Sequence, residues 1–288
     1  MQETASIKDW VGRTRKEEDE VSLSAVRRMA ATLDQDPDAY SRGSEIPESW
    51  YVILFGPFAR QSALAPDGHA TTGDFLPPMR DARRMFGGRR VRFHRPLRAG
   101  DVVGRVSRIA RVEEKSGRSG PFTLLTVVHE LDAGAGVAVI EEQDLVYRPA
   151  AANAGAATPA AKEQPPRATE ADKPEWSRSI APDTALLFRY SALTFNAHRI
   201  HYDLPYTRDV EKYPALVMNG GLTALLLVET ARPHLRARIA GYDARAMHPL
   251  FVGQSMTFNG SRRADAAALW ACGPDGARAY QVNVTLGR

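Results

Sequence analysis

The segment RYSALTFNAHRIHYD, residues 189–203, concentrates side chains that can move protons or bind ligands. His198 and His201 are three residues apart, and Asn196 precedes His201 by five. Histidine exchanges protons near neutral pH, whereas an asparagine amide can orient a water molecule or a carbonyl but cannot take up a proton. The segment is therefore a candidate acid–base site with His201 as the proton carrier.

Two other interpretations of these residues stay open at this point. His198, His201 and Asp203 could bind a metal ion, but H-x-x-H in a loop is a weak signal without a cysteine partner or an H-E-x-x-H helix, so no metal site is predicted. Alternatively, both histidines only cap and hydrogen-bond their loop. The preceding stretch ALLFRYSAL reads as a strand, which would place the polar residues in the loop at its end.

The composition excludes several classes of protein. The 288 residues, 43% apolar and 25% charged, suit one large or two ordinary globular domains. A net charge of +4 with scattered arginines gives no basic stripe, so nucleic-acid binding is not expected. No apolar run reaches the length of about 18 residues that would predict a membrane-spanning helix. The single Cys272 excludes an internal disulfide and favours a cytoplasmic location.

The chain is predicted to consist of two related parts. Residues 150–176 are rich in Ala, Pro and charged residues and read as a linker between residues 1–149 and 177–288. Each part contains the pattern P-L-x-x-G, at Pro96 and at Pro249, followed by a strand-like run and then two more. The matching order indicates an internal duplication.

Helix candidates precede the strands in each part. Residues 220–235 are apolar nearly all round, which predicts a buried helix. In the first part, residues 22–33 have an amphipathic pattern, and residues 47–64 are more apolar but interrupted by Gly56 and Pro57. A buried helix followed by several antiparallel strands predicts an α+β fold with a sheet wrapped around a helix.

The sequence YSALTFNAHRIHYD resembles the motif Y-x-x-S-G-D-x-N-P-x-H of the MaoC-like, hotdog-fold enoyl-thioester hydratases. Tyr190 stands at its tyrosine, Asn196 at its aspartate, His198 at its asparagine and His201 at its histidine. The segment is closer still to the branch of type 2 hydroxyacyl-thioester dehydratases and mesaconyl-C4-CoA hydratases. YPALVMNGGLTALLL also resembles their Y-P-x-L-V-x-H-G-P-L at the head of the central helix. The resemblance covers nearly all of the chain outside the linker.

The resemblance implies a double hotdog in which the N-terminal repeat has lost its active-site loop. It implies a carbon–oxygen lyase that reversibly adds water to a 2-enoyl thioester of CoA or acyl carrier protein, with no cofactor beyond the CoA of the substrate. The nearest branch implies a short branched dicarboxylic acyl-CoA such as mesaconyl-C4-CoA. A 3-hydroxyacyl-thioester dehydratase of fatty acid metabolism, a hotdog thioesterase and a non-catalytic thioester-binding module are the alternatives. Open sheet edges suggest a homodimer.

The resemblance also assigns roles to residues. Asn196 and His201 would be catalytic, and backbone N–H groups at the helix head would stabilise charge on the thioester oxygen. The residues expected around that oxygen and the substrate are Gly220, Gly221, Asn219, Tyr190 and His198. Arg189 and Arg199 could meet CoA phosphates or a substrate carboxylate. This chain departs from the family pattern at Asn196, where most members have an acid, at Asn219, where close relatives have His, and at Gly221, where they have Pro.

Overall fold

A computed structural model describes residues 7–71, 75–79, 82–117, 120–149 and 173–287. Most of the predicted linker, residues 150–172, lies outside these described residues. Trp176, which the prediction assigned to the linker, is instead the first residue of a strand. The boundaries of the two parts otherwise stay a prediction.

The described residues form ten strands, four α-helices and several 3₁₀ turns. The strands are β1 (Thr14–Glu20), β2 (Ala82–Phe93), β3 (Val102–Gly117), β4 (Gly120–Asp132), β5 (Val137–Pro149), β6 (Trp176–Ile180), β7 (Ile239–Ala246), β8 (Met256–Arg262), β9 (Ala266–Cys272) and β10 (Arg278–Leu286). The helices are α1 (Leu23–Thr32), α2 (Thr184–Leu193), α3 (Leu204–Asp209) and α4 (Gly220–Ala231). The 3₁₀ turns are Ile7–Trp10, Pro37–Ala39, Glu48–Ile53, Gln61–Ala63, Arg199–His201 and Arg232–His234. None of the helices in this part of the chain combines the length and the hydrophobicity needed to cross a membrane.

All ten strands belong to one antiparallel sheet in the order β1-β3-β4-β5-β2-β7-β10-β9-β8-β6. Its centre is the pairing of β2 with β7. Read outward from that centre, the order is β2-β5-β4-β3-β1 in one direction and β7-β10-β9-β8-β6 in the other. Each half therefore repeats the same arrangement of strands, which agrees with the duplication that the sequence indicates.

The two P-L-x-x-G segments adopt the same local structure. Leu97 and Leu250 are both buried, and each carbonyl accepts a backbone hydrogen bond, from Ile46 at 2.9 Å and from Met218 at 2.7 Å. Gly100 and Gly253 have φ angles of 99° and 79°, a backbone conformation that favours glycine. Because the donor in each half lies just before a helical segment, the 3₁₀ turn Glu48–Ile53 occupies the position of α4.

Helix α4 is the centre of the C-terminal half, as predicted. Its apolar side chains are almost all buried, and the helix packs against β8, β9 and β10. Arg232–His234 continues the chain as a 3₁₀ turn that contains Pro233, which cannot donate a backbone hydrogen bond. The helix–sheet packing confirms the α+β class, and α1 confirms the amphipathic helix predicted for residues 22–33.

The apolar stretch 47–64 does not form the helix that its composition suggested. Only Glu48–Ile53 is helical, as a 3₁₀ turn, and Gln61–Ala63 forms a second short turn. Phe55 has a φ angle of 57°, so the chain leaves the helical conformation just before Gly56 and Pro57. The chain from Phe55 onward is therefore free to run along the boundary between the two halves.

The prediction of a strand for ALLFRYSAL is wrong, since these residues form α2. Asp183 caps the helix, and its side chain accepts a hydrogen bond from Leu186 N. Leu187, Tyr190 and Ser191 are the buried positions, at the spacing of one helical face. Seven of the nine residues in ALLFRYSAL are apolar, so the helical period is not visible in the sequence. The candidate site thus follows a helix rather than a strand.

Candidate active site

The polar segment after α2 is shaped by its own backbone hydrogen bonds. Phe195 adopts a φ angle of 50°, and Asn196 N donates to Ser191 O at 2.8 Å, which reverses the chain at the end of the helix. The Asn196 side-chain oxygen then accepts a hydrogen bond from His198 N at 3.0 Å. A 3₁₀ turn follows and ends at His201, which is buried. Helix, reversal and turn together direct His201 toward the head of α4.

The ring of His201 is held at both nitrogens. Nδ1 lies 2.8 Å from Val217 O, and Nε2 lies 3.3 Å from Asn219 Nδ2. A carbonyl can only accept, so Nδ1 carries the proton and Nε2 presents its lone pair. Burial lowers the pKa of His201 to about 4, against a smaller opposing effect of the Val217 hydrogen bond. The imidazole is therefore neutral at neutral pH and suited to accept a proton at Nε2.

Asn219 links this histidine to the head of α4. It is the N-cap residue, and its side-chain oxygen accepts hydrogen bonds from Gly221 N at 2.8 Å and Leu222 N at 3.3 Å. Because the oxygen faces the helix, the amide nitrogen must face His201. The cap also occupies the N–H of Gly221, so of the two predicted glycines only Gly220 keeps an N–H without an acceptor among the described residues.

Gly221 has a different function, because its lack of a side chain leaves space for the hydroxyl group of Tyr190. A Cβ atom at this position would stand 2.6 Å from the hydroxyl of Tyr190 and 3.0 Å from the side-chain oxygen of Asn219. Tyr190 is buried, and burial raises the pKa of its phenol, so the side chain stays neutral. The absence of a side chain at Gly221 lets Tyr190 pack directly on the head of α4.

A cleft of about 1690 Å³ unites these groups. The predicted site residues that line it are Tyr190, Asn196, His198, His201, Asn219, Gly220 and Gly221. Arg189 and Arg199 do not line it. Arg189 is exposed on α2, although the next residue, Tyr190, is buried, and Arg199 pairs with Asp203 at 2.7 Å. Neither arginine thus lies in the cleft wall, and their contact with CoA phosphates or a substrate carboxylate stays a prediction. Arg84, Arg148 and Arg245 do line the cleft.

Two hydroxyl groups in the cleft wall have no hydrogen-bond partner among the described residues. They are Ser191 Oγ and Tyr280 Oη, and both are buried. A Cβ atom at Gly220 would lie 3.9 Å from Tyr280 Oη, so this hydroxyl is close to the unoccupied N–H. Buried polar groups are nearly always satisfied, and these two are therefore available to a substrate. No motif in the sequence marks either residue.

A second group of titratable side chains borders the cleft from the N-terminal half. Ligand atoms of Asp67, His69 and His198 lie within 4.8 Å of one another. However, Asp67 Oδ2 and His69 Nδ1 are 2.8 Å apart, which is a hydrogen bond and uses atoms that a cation would need. Burial, aided by the neighbouring His69 and His201, lowers the pKa of His198 to about 2. We interpret the group as a hydrogen-bonded cluster, and the absence of a metal stays a prediction.

The arrangement combines three elements of acid–base chemistry at a carbonyl compound. His201 offers a neutral nitrogen base, Gly220 offers a free N–H at the positive end of a helix, and Asn196 offers an amide at the cleft wall. Stabilised charge on a carbonyl oxygen beside a base is what proton transfer at the adjacent carbon requires.

Solved structures share this fold at low sequence identity. HtdX of Mycobacterium tuberculosis superposes with a TM-score of 0.67 at 16% identity, over 96% of this chain and 100% of that one. Another protein of the same organism, described as having a double hotdog fold, superposes with a TM-score of 0.58 at 14% identity over 96% of each chain. These similarities confirm the predicted double hotdog.

Sequence comparison gives a closer relationship. The mesaconyl-C(4)-CoA hydratase of Chloroflexus aurantiacus is 43% identical over 278 residues, 96% of this chain and 97% of that protein. The family model for hydroxyacyl-thioester dehydratase type 2 matches residues 49–252, a range that includes both His69 and the segment around His201. With most of its length matched by that model and nearly all of it by this relative, the chain belongs to the type 2 hydroxyacyl-thioester dehydratase family.

Proposed function

We propose that the protein is a hydro-lyase that reversibly adds water to the 2,3-double bond of an enoyl thioester. The observation that carries this proposal is the position of His201. Its unprotonated Nε2 faces Asn219 at the head of α4, inside a cleft large enough for an acyl-CoA. Family membership and the Chloroflexus relative support the same reaction.

The thioester oxygen would lie at Gly220 N–H, where the helix dipole favours negative charge. His201 Nε2 would take a proton from water as the water oxygen bonds to C3. Electrons of the double bond would move toward C2 and the thioester oxygen until C2 is protonated. Asn196 would hold the water, or the departing hydroxyl in the reverse direction.

We propose a short branched dicarboxylic acyl-CoA, such as mesaconyl-C4-CoA, as the substrate class. The relative from Chloroflexus is named for this substrate and covers nearly the whole chain. Arg84, Arg148 and Arg245 line the cleft and could meet a carboxylate or the CoA phosphates. A fatty 3-hydroxyacyl thioester is the alternative substrate, and acyl carrier protein the alternative carrier.

A thioesterase is a weaker alternative because the cleft offers it no free carboxylate at the end of the catalytic segment. Asp203, the acid that could activate water in place of Asn196, caps α3 and pairs with Arg199. It does not line the cleft. Glu141 does, but it is paired with Arg89 at 3.1 Å. A non-catalytic binding module would not need the base that His201 provides.

The test is loss of the conjugated enoyl-thioester absorbance on addition of protein. Crotonyl-CoA, mesaconyl-C4-CoA, its C1 isomer and a medium-chain enoyl-CoA form the panel. We expect hydration by the wild-type protein, fastest with mesaconyl-C4-CoA. His201→Ala should reduce kcat by about 10²- to 10⁴-fold, the usual contribution of a general base. His234→Ala, on an exposed turn, is the matched control and should keep full activity.

Other outcomes separate the alternatives. Release of free thiol while the double bond survives would indicate a thioesterase. Bound but unchanged thioesters would indicate a binding module. A preference for the medium-chain substrate would indicate a fatty acyl thioester as the substrate, and the proposed hydration reaction would still hold.

We further propose that the enzyme is cytoplasmic, needs no cofactor and forms a homodimer. The single cysteine is buried in β9, which suits a reducing compartment. Proton transfer by His201 requires no metal, so EDTA should leave the rate unchanged. Among the residues that the structure describes, β1 and β6 are the outermost strands of the sheet, and their outer edges could pair with a second copy. Sedimentation analysis of the purified protein tests the dimer, and a monomer would contradict it.

A further inference from the structure

The turn that contains Asp67 and His69 is docked on the segment that contains the catalytic histidine. Arg199 N donates to Asp67 O at 2.9 Å, and an Arg199 guanidinium nitrogen donates to Pro66 O at 2.9 Å. A Cβ atom at Gly68 would overlap Ala197 O at 1.8 Å, and Gly68 has a φ angle of 89°. Only glycine permits this approach. The N-terminal half is thus fixed against the site.

Within this turn, Asp67 and His69 form a doubly bonded pair. Asp67 Oδ1 accepts from His69 N at 2.9 Å, and Oδ2 lies 2.8 Å from His69 Nδ1. Ala65 N donates to His69 O at 2.7 Å, which closes the turn. With both its backbone and its ring held, the His69 imidazole has one nitrogen left, Nε2, to offer to another group.

The His69 ring continues directly into the catalytic group. Its centroid lies 4.1 Å from that of His198, which in turn lies 5.4 Å from that of His201. Three imidazoles are therefore in contact along the cleft wall, with the Asp67 carboxylate behind the first. His69 and Asp67 both line the cleft that contains His201 and Asn196.

A charged carboxylate stands behind the outer imidazole of this row, and the two inner imidazoles are neutral. Partial burial opposes ionisation of Asp67, but hydrogen bonds from the ring and backbone of His69 outweigh it and lower the pKa of the carboxyl. The ionised carboxylate holds Nδ1 of His69 at 2.8 Å and so fixes the orientation of the ring, with Nε2 at its free side. His198 and His201 are neutral at neutral pH because burial lowers the pKa of each.

Water addition to a double bond needs a base for the water and an acid for C2. His201 can be the base, but Asn196, whose side chain is an amide, cannot transfer a proton. We propose that Asp67 and His69 complete the active site, with His69 as the second proton-transfer group and Asp67 as its positioning residue. This inference rests on the proposed hydratase function.

Water addition by these two histidines accounts for every proton. His201 Nε2 takes a proton from water as the oxygen bonds to C3, and the π electrons move to C2. C2 then takes a proton from Nε2 of the His69 imidazolium. His69 ends neutral and His201 ends protonated, and exchange with solvent through the cleft restores both. In the direction of dehydration the same two groups exchange tasks. The N-terminal half, which has no copy of the catalytic segment, therefore contributes to catalysis through a different element.

Two variants and two matched controls test the inference on the full chain. His69→Gln should lower kcat about 100-fold or more while KM changes by less than about threefold, because the lost group acts in the transition state. Asp67→Asn should lower kcat about tenfold, and the double variant should be no slower than His69→Gln alone. His234→Gln is the histidine control. Asp275→Asn is the turn control, since Asp275 accepts from Ala277 N at 3.0 Å as Asp67 does from His69 N.

The outcomes are separable from those of the proposed function. An active wild type with an active His69→Gln variant would overturn this inference and leave the hydratase standing. A change in KM alone would assign the pair to substrate binding and would also overturn it. If His69→Gln unfolds, Asp67→Asn decides, since the amide oxygen can still accept from His69 N. A wild type without hydratase activity would overturn the proposed function and this inference together.

Discussion

At the scale of single residues, Asn219 and Val217 hold the two ring nitrogens of His201. The helix cap fixes which end of the Asn219 amide faces the ring, so the amide nitrogen lies at Nε2, while the Val217 carbonyl accepts from Nδ1 and fixes the neutral tautomer. A histidine in this position could also point a ring nitrogen at His201. The present arrangement combines a structural task, capping α4, with an electrostatic one, keeping Nε2 unprotonated.

Replacing Asn219 by Asp should shift the acid limb of the pH profile. Aspartate is also a good cap, but its carboxylate accepts where the amide donates, so it favours the imidazolium and raises the pKa of His201 from about 4. A general base must be neutral, so activity falls as the pH drops through this pKa. We expect the limb of kcat/KM to move upward by about one pH unit or more.

The control for this change is Asn219→Ser, which caps the helix without adding a charge. The acid limb of its kcat/KM profile should not shift to higher pH. The measurement is kcat/KM from pH 4 to 8 for the three proteins. Overlapping profiles for Asn219→Asp and the wild type would contradict the assigned contact between Asn219 and His201.

Tyr280 should show opposite effects on activity and stability. Its buried hydroxyl has no partner among the described residues, so Tyr280→Phe removes a desolvated polar group and should leave stability unchanged or raise it by about 1 kcal/mol. If the hydroxyl contacts the substrate near Gly220, kcat/KM should fall about tenfold. Urea unfolding and steady-state kinetics measure the two effects.

Tyr242→Phe is the matched change for Tyr280→Phe. Tyr242 is equally buried, but its hydroxyl is engaged with Tyr51 and Arg89, and it does not line the cleft. This variant should lose about 1 kcal/mol of stability and keep its activity. Equal activity in both variants would remove Tyr280 from the site.

The sequence could identify the residues of the catalytic segment but only part of their tasks. One short motif contains four of the predicted site residues, which lie close together in the chain: Tyr190, Asn196, His198 and His201. Asp67 and His69 lie more than a hundred residues away and reach the site only because Gly68 allows a backbone approach. A D-G-H turn in a sequence carries no signal for such a long-range contact.

At the scale of elements, the head of α4 concentrates most of the site. The sequence predicts this helix because residues 220–235 are too long and too apolar on all sides for most other structures. It predicts the strands because apolar and polar residues alternate in each of them, or because the whole strand is apolar. It does not predict α2, where a short apolar stretch fits both periods and only the Asp183 cap discriminates. The two adjacent glycines of α4 also look alike in the sequence but differ in environment.

Gly221→Ala and Gly220→Ala should therefore separate in thermal stability. The new Cβ at Gly221 would stand 2.6 Å from a hydroxyl that is buried and cannot easily move, so we expect a loss of about 1–3 kcal/mol and a lower melting temperature. At Gly220 the nearest atom would be at 3.6 Å, an ordinary contact, and alanine favours the helix. Calorimetry of both variants without substrate tests this. Equal melting temperatures would contradict the described packing of Tyr190 on α4.

At the scale of the whole molecule, two halves with one strand order have diverged in the element before the central strands. The C-terminal half keeps a long helix with an asparagine cap. The N-terminal half has Pro47 at the equivalent position and a 3₁₀ turn of six residues. Shortening the helix there releases residues 54–71 to line the shared cleft, which places Asp67 and His69 opposite the other half's catalytic segment. Both halves of the molecule therefore contribute side chains to one cleft.

One buried and two partly buried histidines should make the whole fold sensitive to acid. Burial lowers the pKa of His129 and of His201 to about 4 and that of His198 to about 2, whereas each has an ordinary value near 6.5 in the unfolded chain. Between these values the unfolded state binds more protons than the folded state, so stability falls as the pH drops below about 6.5.

Integrated from pH 7 to pH 5, each histidine should cost about 2 kcal/mol, which is a large share of the 5–15 kcal/mol typical of a folded protein. Urea unfolding at the two pH values measures the difference. His129→Gln keeps a side chain that can meet Ser107 Oγ, now 2.7 Å from His129 Nδ1, but cannot be protonated. This variant should therefore lose about 2 kcal/mol less stability than the wild type between pH 7 and pH 5. Equal stability of the wild type at pH 7 and pH 5 would contradict this prediction. It would mean that water reaches the three rings, and the cleft wall around them, in the folded protein.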